Sequence, residues 1–453
     1  MSGSAAEASI DPLAIAERAV ALAEAAGATE VEALVSAERA QLTRFANSEI
    51  HQNVAETSAT VNLRFVLGRK IGVATTGRTD DDGLVALVDQ AGSIARVVEE
   101  LEDWSGLPEP GPITDVEGAW SENTASASPE SRAEGVRAVL AAADAAGSVA
   151  YGSFATGAET IAVANSKGIR AVQRRTMAQL LTVSMAPNGG TGYAEAVSVD
   201  VARIDPAAIG KEAAEKARAT QHPVAVDAGD WSVVLEEYAV VDVLDMLGYL
   251  GFSALAVQEE RSLYEPGRQI GSDLVSMTDD PRDPNGLPMA FDYEGVAKER
   301  VSLIDHGRCV DVVYDTQTAA RAGRRSTGHG LPAPNPYGPF PLNMIMAPGT
   351  ATREELIGGM ERGLLVTRFH YTNPVHPKLC IITGMTRDGT FLVEDGKIVG
   401  PVRNLRYTQS YLDALAGVSA VASDRKTLKG FLGGVVVPAV RIDGWSFTGT
   451  TEH

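Results

Sequence analysis

Carboxylates crowd one short stretch of the chain. Residues 231–261 place Glu236, Glu237, Asp242 and Asp245 among Val240, Val241, Val243, Leu244, Met246, Leu247 and Leu250. A strand-like start at 232–235 therefore runs straight into an apolar-periodic helix with its acids near the beginning. Glu237 and Asp242 stand five residues apart, and a carboxylate pair can hold Mg or Ca when other oxygens and waters complete the shell. The simpler reading is a solvated or capping cluster at a helix N-terminus, where the helix dipole favours negative charge. That reading is preferred, and no metal site is expected in this chain.

A second constellation is His370-Tyr371-Thr372-Asn373, followed by His376 and Cys380. A cysteine near a histidine can act as a thiol nucleophile. Cys380, however, falls in Leu379-Cys380-Ile381-Ile382, an apolar strand-like run in which cysteines are ordinarily inert core residues. His370, Tyr371 and Asn373 read better as the polar lining of a cleft. Ser326-Thr327-Gly328-His329-Gly330 lacks the GxSxG pattern of a nucleophile elbow and reads as a turn. Gly189-Gly190 and Gly358-Gly359 lack the strand-to-helix context of a dinucleotide loop.

Periodicity and punctuation give the elements that must position these groups. Asp11-Pro12 caps a helix whose apolar positions, from Leu13 to Ala26, end at Gly27. A strand is expected at 31–36, and alternation through 58–65 and 70–75, joined at Leu67-Gly68-Arg69, predicts a hairpin in an antiparallel sheet. Asp80-Asp81-Asp82 caps a helix running to Val97. After a loop at 104–129 come a helix at 129–147, strands at 148–154, 159–164, 169–173 and 177–185, and a helix at 205–220. His222-Pro223 marks the boundary of the first half, because X-Pro favours extended chain and the pattern turns to strand beyond it.

The second half predicts hairpins at 301–314 and 391–402, a helix at 349–363 and a strand at 364–367. Long loops at 262–295 and 328–347 are of a length that often covers a site or a subunit contact. The expectation is an α+β fold with two domains: residues 1–222, an antiparallel sheet with flanking helices, and residues 223–453, strand-rich.

Composition narrows the function classes. A chain of 453 residues, 44% hydrophobic, can bury more than one core. Its 59 acidic against 39 basic residues give a net charge of -20, so nucleic-acid and anionic membrane partners are not expected. Arg321, Arg324 and Arg325 form the one local basic patch noted. With two cysteines, no apolar run of about 18 residues and no basic, apolar leader, a cytoplasmic protein is expected.

Several blocks, in order, resemble the TldD/PmbA family of metallopeptidase-related proteins. The first half contributes Arg44-Phe45-Ala46-Asn47-Ser48 with Ile50, Gln52, Gly68 and Gly72. The second contributes Ile304-Asp305-His306-Gly307, Asp315, Ser326-Thr327-Gly328-His329, the run 384–391, and Glu394-Asp395-Gly396-Lys397. The resemblance implies zinc bound by HExxxH in the TldD-type subunit, with a further Cys ligand near the closing strands. Here the corresponding place reads Glu236-Glu237-Tyr238-Ala239-Val240-Val241-Asp242, and residues 418–437 contain no Cys. Both departures are similar to the PmbA/TldE-type partner subunit, which lacks the zinc site.

The implied role is to complete a peptide-binding cleft, by strand addition at a sheet edge among other ways, in a heterodimer whose zinc sits in the TldD-like partner. A homodimer remains open. The alternatives are a stand-alone enzyme acting on a small peptide-like metabolite through Glu237, Asp242, His370 or Tyr371, and a non-catalytic homodimeric modulator.

Overall fold

The computed structural model describes residues 11–450, so residues 1–10, where no export signal is expected, lie outside the described residues. The first half is built on six strands: β1 (Glu30–Ala46), β2 (Glu49–Leu67), β3 (Lys70–Thr76), β4 (Val149–Asn165), β5 (Arg170–Met185) and β6 (Thr191–Ser198). They form an antiparallel sheet in the order β3-β2-β1-β4-β5-β6.

Toward one end of β1 lie α1 (Pro12–Ala25) and α2 (Asp81–Val97), each started by an Asp whose side chain accepts backbone N–H bonds. Their small and branched side chains, among them Ala16, Val20, Leu84 and Ala91, close over Val31, Leu63 and Phe65. Gly72 makes this contact possible, because a Cβ there would lie 2.0 Å from the carbonyl oxygen of Ala91. Toward the other end, the short α3 (Glu122–Ala125) precedes α4 (Pro129–Ala145), and α5 (Pro206–Ala219) follows β6. Phe45, Val136, Val139, Phe154 and Leu180 form the core there.

The strands are longer than the alternation predicts. The pairs expected at 148–154 and 159–164, and at 169–173 and 177–185, are each one uninterrupted strand in continuous register. At the expected breaks, Thr156 accepts from Arg132 of α4 at 3.1 Å, Arg174 lies over the Trp120 ring, and Arg175 reaches the second half. Arg175 donates to Glu159 at 2.6 Å and to the hydroxyl of Tyr293 at 3.4 Å.

The second half holds eleven strands. Strand β7 (Gly229–Leu235) leads directly into α6 (Glu237–Gly251), followed by the short α7 (Ala254–Gln258). After a long irregular stretch come β8 (Met277–Asp279), β9 (Val301–Asp305), β10 (Arg308–Cys309), α8 (Thr316–Arg321), β11 (Asn343–Met346) and α9 (Arg353–Gly358). The long β12 (Arg362–His376) and β13 (Ile381–Glu394) are followed by β14 (Lys397–Pro401), β15 (Leu405–Ser410), α10 (Tyr411–Ala416), β16 (Val418–Lys429) and β17 (Gly434–Thr450).

The main path is β10-β9-β8-β11-β17-β15-β13-β12-β7, and β7 also pairs with β17, so five strands close into a ring. α6 is buried nearly all round, as expected of a helix that is apolar on every face. Among the described residues no helix is long and apolar enough to cross a membrane.

Two expectations change here. The hairpin at 301–314 shrinks to β9 and the two-residue β10, and residues 310–314 run on without a ladder. The helix at 349–363 is a six-residue turn, α9, bounded by a Thr352/Glu355 capping box and by Gly359. Before it, Gly349 and Ala351 bond to β16, and after it β12 has begun by Arg362. The halves share a core in which Phe291 of the second packs among Leu34, Ile161, Val163 and Ala171 of the first.

Candidate functional site

The first turn of α6 is built around charge rather than around a cap. Glu236 occupies the N-cap position without a side-chain cap bond. Its carboxylate instead takes Lys216 Nζ at 2.6 Å and Arg353 at 2.5 Å. Glu237 accepts from Arg353 Nη2 at both oxygens, at 2.9 and 2.7 Å.

Lys216 also reaches Glu212 at 2.8 Å, and Lys426 joins Glu212 at 3.2 Å and the Tyr238 hydroxyl at 2.9 Å. Three acids and three bases thus balance across α5, α6, α9 and β16. Burial would raise the Glu212 carboxyl, but Lys216 and Lys426 hold it down at about 2. Glu236 is likewise kept low by Lys216 and Arg353 against the cost of its burial. The sequence reading of this cluster as solvated or capping is therefore corrected: both glutamates are buried and ion-paired.

One turn further along, α6 faces a cavity of about 430 Å³ between the two halves. Asp242 and Asp245, three residues apart and so on one helix face, line it together with His370 and Tyr371 of β12 and Phe431 beyond β16. Strand β12 delivers its residues through a bulge: the register with β13 shifts between His370 and Asn373, and Tyr371 has φ +53°. Such a bulge re-aims side chains that a regular ladder would alternate. Tyr371 stands 69% exposed at the mouth.

Burial pushes both aspartates up to about 7, with Arg368 opposing for Asp242 and the neighbouring Asp242 adding to the rise for Asp245. Arg368 is already engaged. It donates to Asp388 at 2.7 Å and lies over the Tyr193 ring. His370 is held below its usual value by burial and by Arg387 and Arg368, so it is neutral at physiological pH.

The structure brings Asp242, His370 and Tyr371 together and leaves out the other two predicted residues. Glu237 belongs to the Arg353 network. Asn373, past the bulge, is exposed and donates to the Tyr371 carbonyl at 2.9 Å, away from the cavity. Cys380 is not in a strand but in a left-handed turn, φ +47°, just before β13. Burial raises its thiol to about 12, the opposite of an activated nucleophile.

Arg321, Arg324 and Arg325 each pair with an acid (Asp103, Asp311 and Glu299), so the patch presents no unpaired basic surface. The sequence points to Asp245 only as one of the carboxylates of residues 231–261, not as a site residue, and gives no sign of Arg353. The first was signalled by its i,i+3 spacing from Asp242, whereas nothing local signalled Arg353.

Models described as PmbA/TldA metallopeptidase domain 1, central domain and C-terminal domain match residues 31–95, 122–221 and 228–449. The chain belongs to the PmbA/TldD family.

Among PmbA/TldD relatives, a Methanothermobacter thermautotrophicus metalloprotease is 26% identical over 54% of this chain and 53% of its own length. Metalloprotease PmbA of Escherichia coli O157:H7 is 28% identical over 39% of this chain and 38% of its own. The chain thus spans about half, or less, of the length of these curated relatives. The crystal structure of TldE from Thermococcus kodakarensis superposes with a TM-score of 0.87 at 21% identity, covering 96% of this chain and all of that one, which establishes the shared fold. No His stands between His222 and His306, so α6 carries no HExxxH sequence.

Proposed function

We propose that this chain is the non-zinc, TldE/PmbA-like subunit of a peptidase assembly in the cytoplasm. In that assembly a TldD-like partner carries the metal, and the cavity beside α6 holds part of the peptide. The observation that carries this reading is the engagement of Glu236 and Glu237 by Arg353 and Lys216 at the place where the family resemblance leads one to expect HExxxH.

A catalytic zinc takes three protein ligands and leaves a fourth position open. At the start of α6 the carboxylate oxygens already accept charge-assisted bonds, and the cavity beyond offers a single imidazole, His370. Among the described residues no group of three or more His, Cys, Asp or Glu side chains is close enough to share an ion. The donor set does not fit zinc, and no hydrolytic step is assigned to it. What the cavity offers is polar and aromatic lining at the junction of the two halves, with the His370 imidazole and the carboxyls of Glu195, Asp242 and Asp245: the equipment of a binding cleft.

The test is metal analysis and peptide hydrolysis by the purified chain, alone and after co-expression with a TldD-like homologue. The lone chain is expected to be zinc-free and inert, and the pair to hold about one zinc and cleave peptide. Stoichiometric metal or turnover in the lone chain would overturn the reading in favour of a stand-alone enzyme. A stable homodimer that never recruits the homologue would favour a modulator.

A further inference from the structure

Asp242, half-buried, and Asp245, buried, are the two acids in the cavity with no cation or side-chain donor bonded to them. Asp242 makes no hydrogen bond or ion pair among the interactions described above. Asp245 is 2% exposed, and while its Oδ2 accepts from the Phe431 N–H at 2.9 Å, its Oδ1 has no hydrogen-bond partner. A buried acceptor left unmade is costly. Native structures keep such groups chiefly where a ligand, water or ion completes them.

The nearby cations do not fill this role. Arg368 is committed to Asp388 and to the face of Tyr193, and Lys429 is exposed at the rim. Glu195, a further acid in the lining, is satisfied by Gln179 at 2.6 Å and the Tyr193 hydroxyl at 2.7 Å. The backbone at Gly430 packs directly against the Asp245 carboxyl. A Cβ at Gly430 would lie 2.3 Å from Asp245 Oδ2 and 2.5 Å from Oδ1, so any other residue there would press onto the carboxyl. Tyr371 and Phe431 add aromatic surface of the kind that receives cations.

We propose that the Asp242–Asp245 pair is a subsite for a positively charged group of the bound peptide: a lysine or arginine side chain or a free N-terminal ammonium, entering between Tyr371 and Phe431. This deepens the peptide-cleft reading and rests on it. A cation placed between the carboxyls forms charge-assisted hydrogen bonds with Asp242 and with the unpaired Oδ1 of Asp245. Its arrival also favours the ionised form of both acids. Capture of the cation near neutral pH is therefore accompanied by proton release to solvent.

The experiment is calorimetric titration of the full chain, alone and in complex with its TldD-like partner, using three short peptides. These are a doubly blocked Ala-Lys-Ala, the doubly blocked norleucine counterpart, and an Ala-norleucine-Ala with a free N-terminus. At least one charged peptide is expected to bind about 10-fold or more tightly than the blocked norleucine peptide, a difference the Kd ratio reads directly. Which charged peptide prevails separates a side-chain from a terminal source.

At pH 7 the binding enthalpy should change with the ionisation enthalpy of the buffer, showing proton release. In Asp242→Asn/Asp245→Asn the charge preference should fall to within about twofold, with thermal melting confirming that the variant folds. Equal affinity for charged and neutral peptides, absence of binding in both protein forms, or a preference that survives the double substitution would each overturn the proposal. A pair that assembles and cleaves without charge preference leaves the subunit reading standing and removes this one. A lone chain that prefers cations yet never pairs does the reverse.

Discussion

Arg353 clamps Glu237 through one guanidinium nitrogen shared between both carboxylate oxygens, at 2.9 and 2.7 Å, while its other nitrogen holds Glu236. One side chain from α9 therefore neutralises two buried acids at the start of the central helix. Arg353→Met leaves Glu236 with Lys216 alone and Glu237 with no cation bonded to it. Removing one partner of a buried pair costs about 3–5 kcal/mol. Because Arg353 is 35% exposed, solvent screening reduces this, and a loss of about 2–3 kcal/mol is expected. Denaturant unfolding measures it, and Arg353→Lys should fall between, since an ammonium cannot reproduce the fork. A change below about 0.5 kcal/mol, typical of a neutral surface site, would show the clamp to be ornamental.

Asp245 predicts the opposite sign. Burial holds its carboxyl at about 7 in the folded chain, against about 4 in an unfolded one. Folding takes up a proton between those limits. The stability associated with this group is full below about pH 4, falls as pH rises toward 7 and is level above. Asp245→Asn, which can still accept from Phe431, should match the native chain near pH 4 and exceed it at pH 8. A three-unit difference caps the gain at about 4 kcal/mol, and local relaxation should leave about 1–2 kcal/mol. Melting curves at the two pH values decide it, and a variant less stable at pH 8 would refute the expectation.

Asp279 is poised the other way. It accepts from His329 Nε2 at 3.0 Å and from the Asn343 N–H at 2.7 Å, with Lys298 at 3.9 Å. Burial works to raise its carboxyl, but Lys298 and His329 prevail and hold it at about 2. The stability it supplies is present above about pH 4 and lost as pH falls from there toward 2. Asp279→Asn should cost about 2–4 kcal/mol at pH 7 by stranding Lys298, and should flatten the acid limb of the stability profile.

Cys380 should behave as a core residue. Its thiol, raised to about 12 by burial, is expected to resist alkylation in the folded chain at pH 7.5 and to react on unfolding. Cys380→Ala should leave peptide hydrolysis by the zinc-bearing pair unchanged within about twofold, at a stability cost of about 1–2 kcal/mol for the small cavity. Loss of hydrolysis in a folded variant would return the thiol to the chemistry.

The sequence made α6 and β7 visible because dense apolar periodicity and a direct strand-to-helix junction leave few alternatives. The sequence expectation breaks β4 at 155–158 and β5 at 174–176. They continue in the fold because Glu159 and Tyr293 receive Arg175, a partnership no local pattern encodes. The site was half legible for a similar reason. Asp242, His370 and Tyr371 announced themselves by type and meet at the cavity, but Glu237 was claimed by an arginine more than a hundred residues away in the chain, and Asn373 was turned out by a bulge that alternation cannot foresee. Cys380 looked like part of a strand because its neighbours are apolar, whereas a left-handed residue closes the turn there.

The ring of strands has a bearing on how anything extended could be gripped beside α6. β7, the strand that delivers the helix, is paired with β12 on one side and β17 on the other, so its backbone has no unspoken hydrogen-bonding edge. A peptide entering this cavity cannot lengthen the sheet at residues 232–235 of β7, whereas β6, which lines the cavity through Tyr193 and Glu195, is the last strand of its sheet. Along the helix itself, recognition falls to side chains, Asp242 and Asp245 among them, which are tolerant of register and selective for charge. A cleft of that design would suit many unrelated sequences that share one cationic feature.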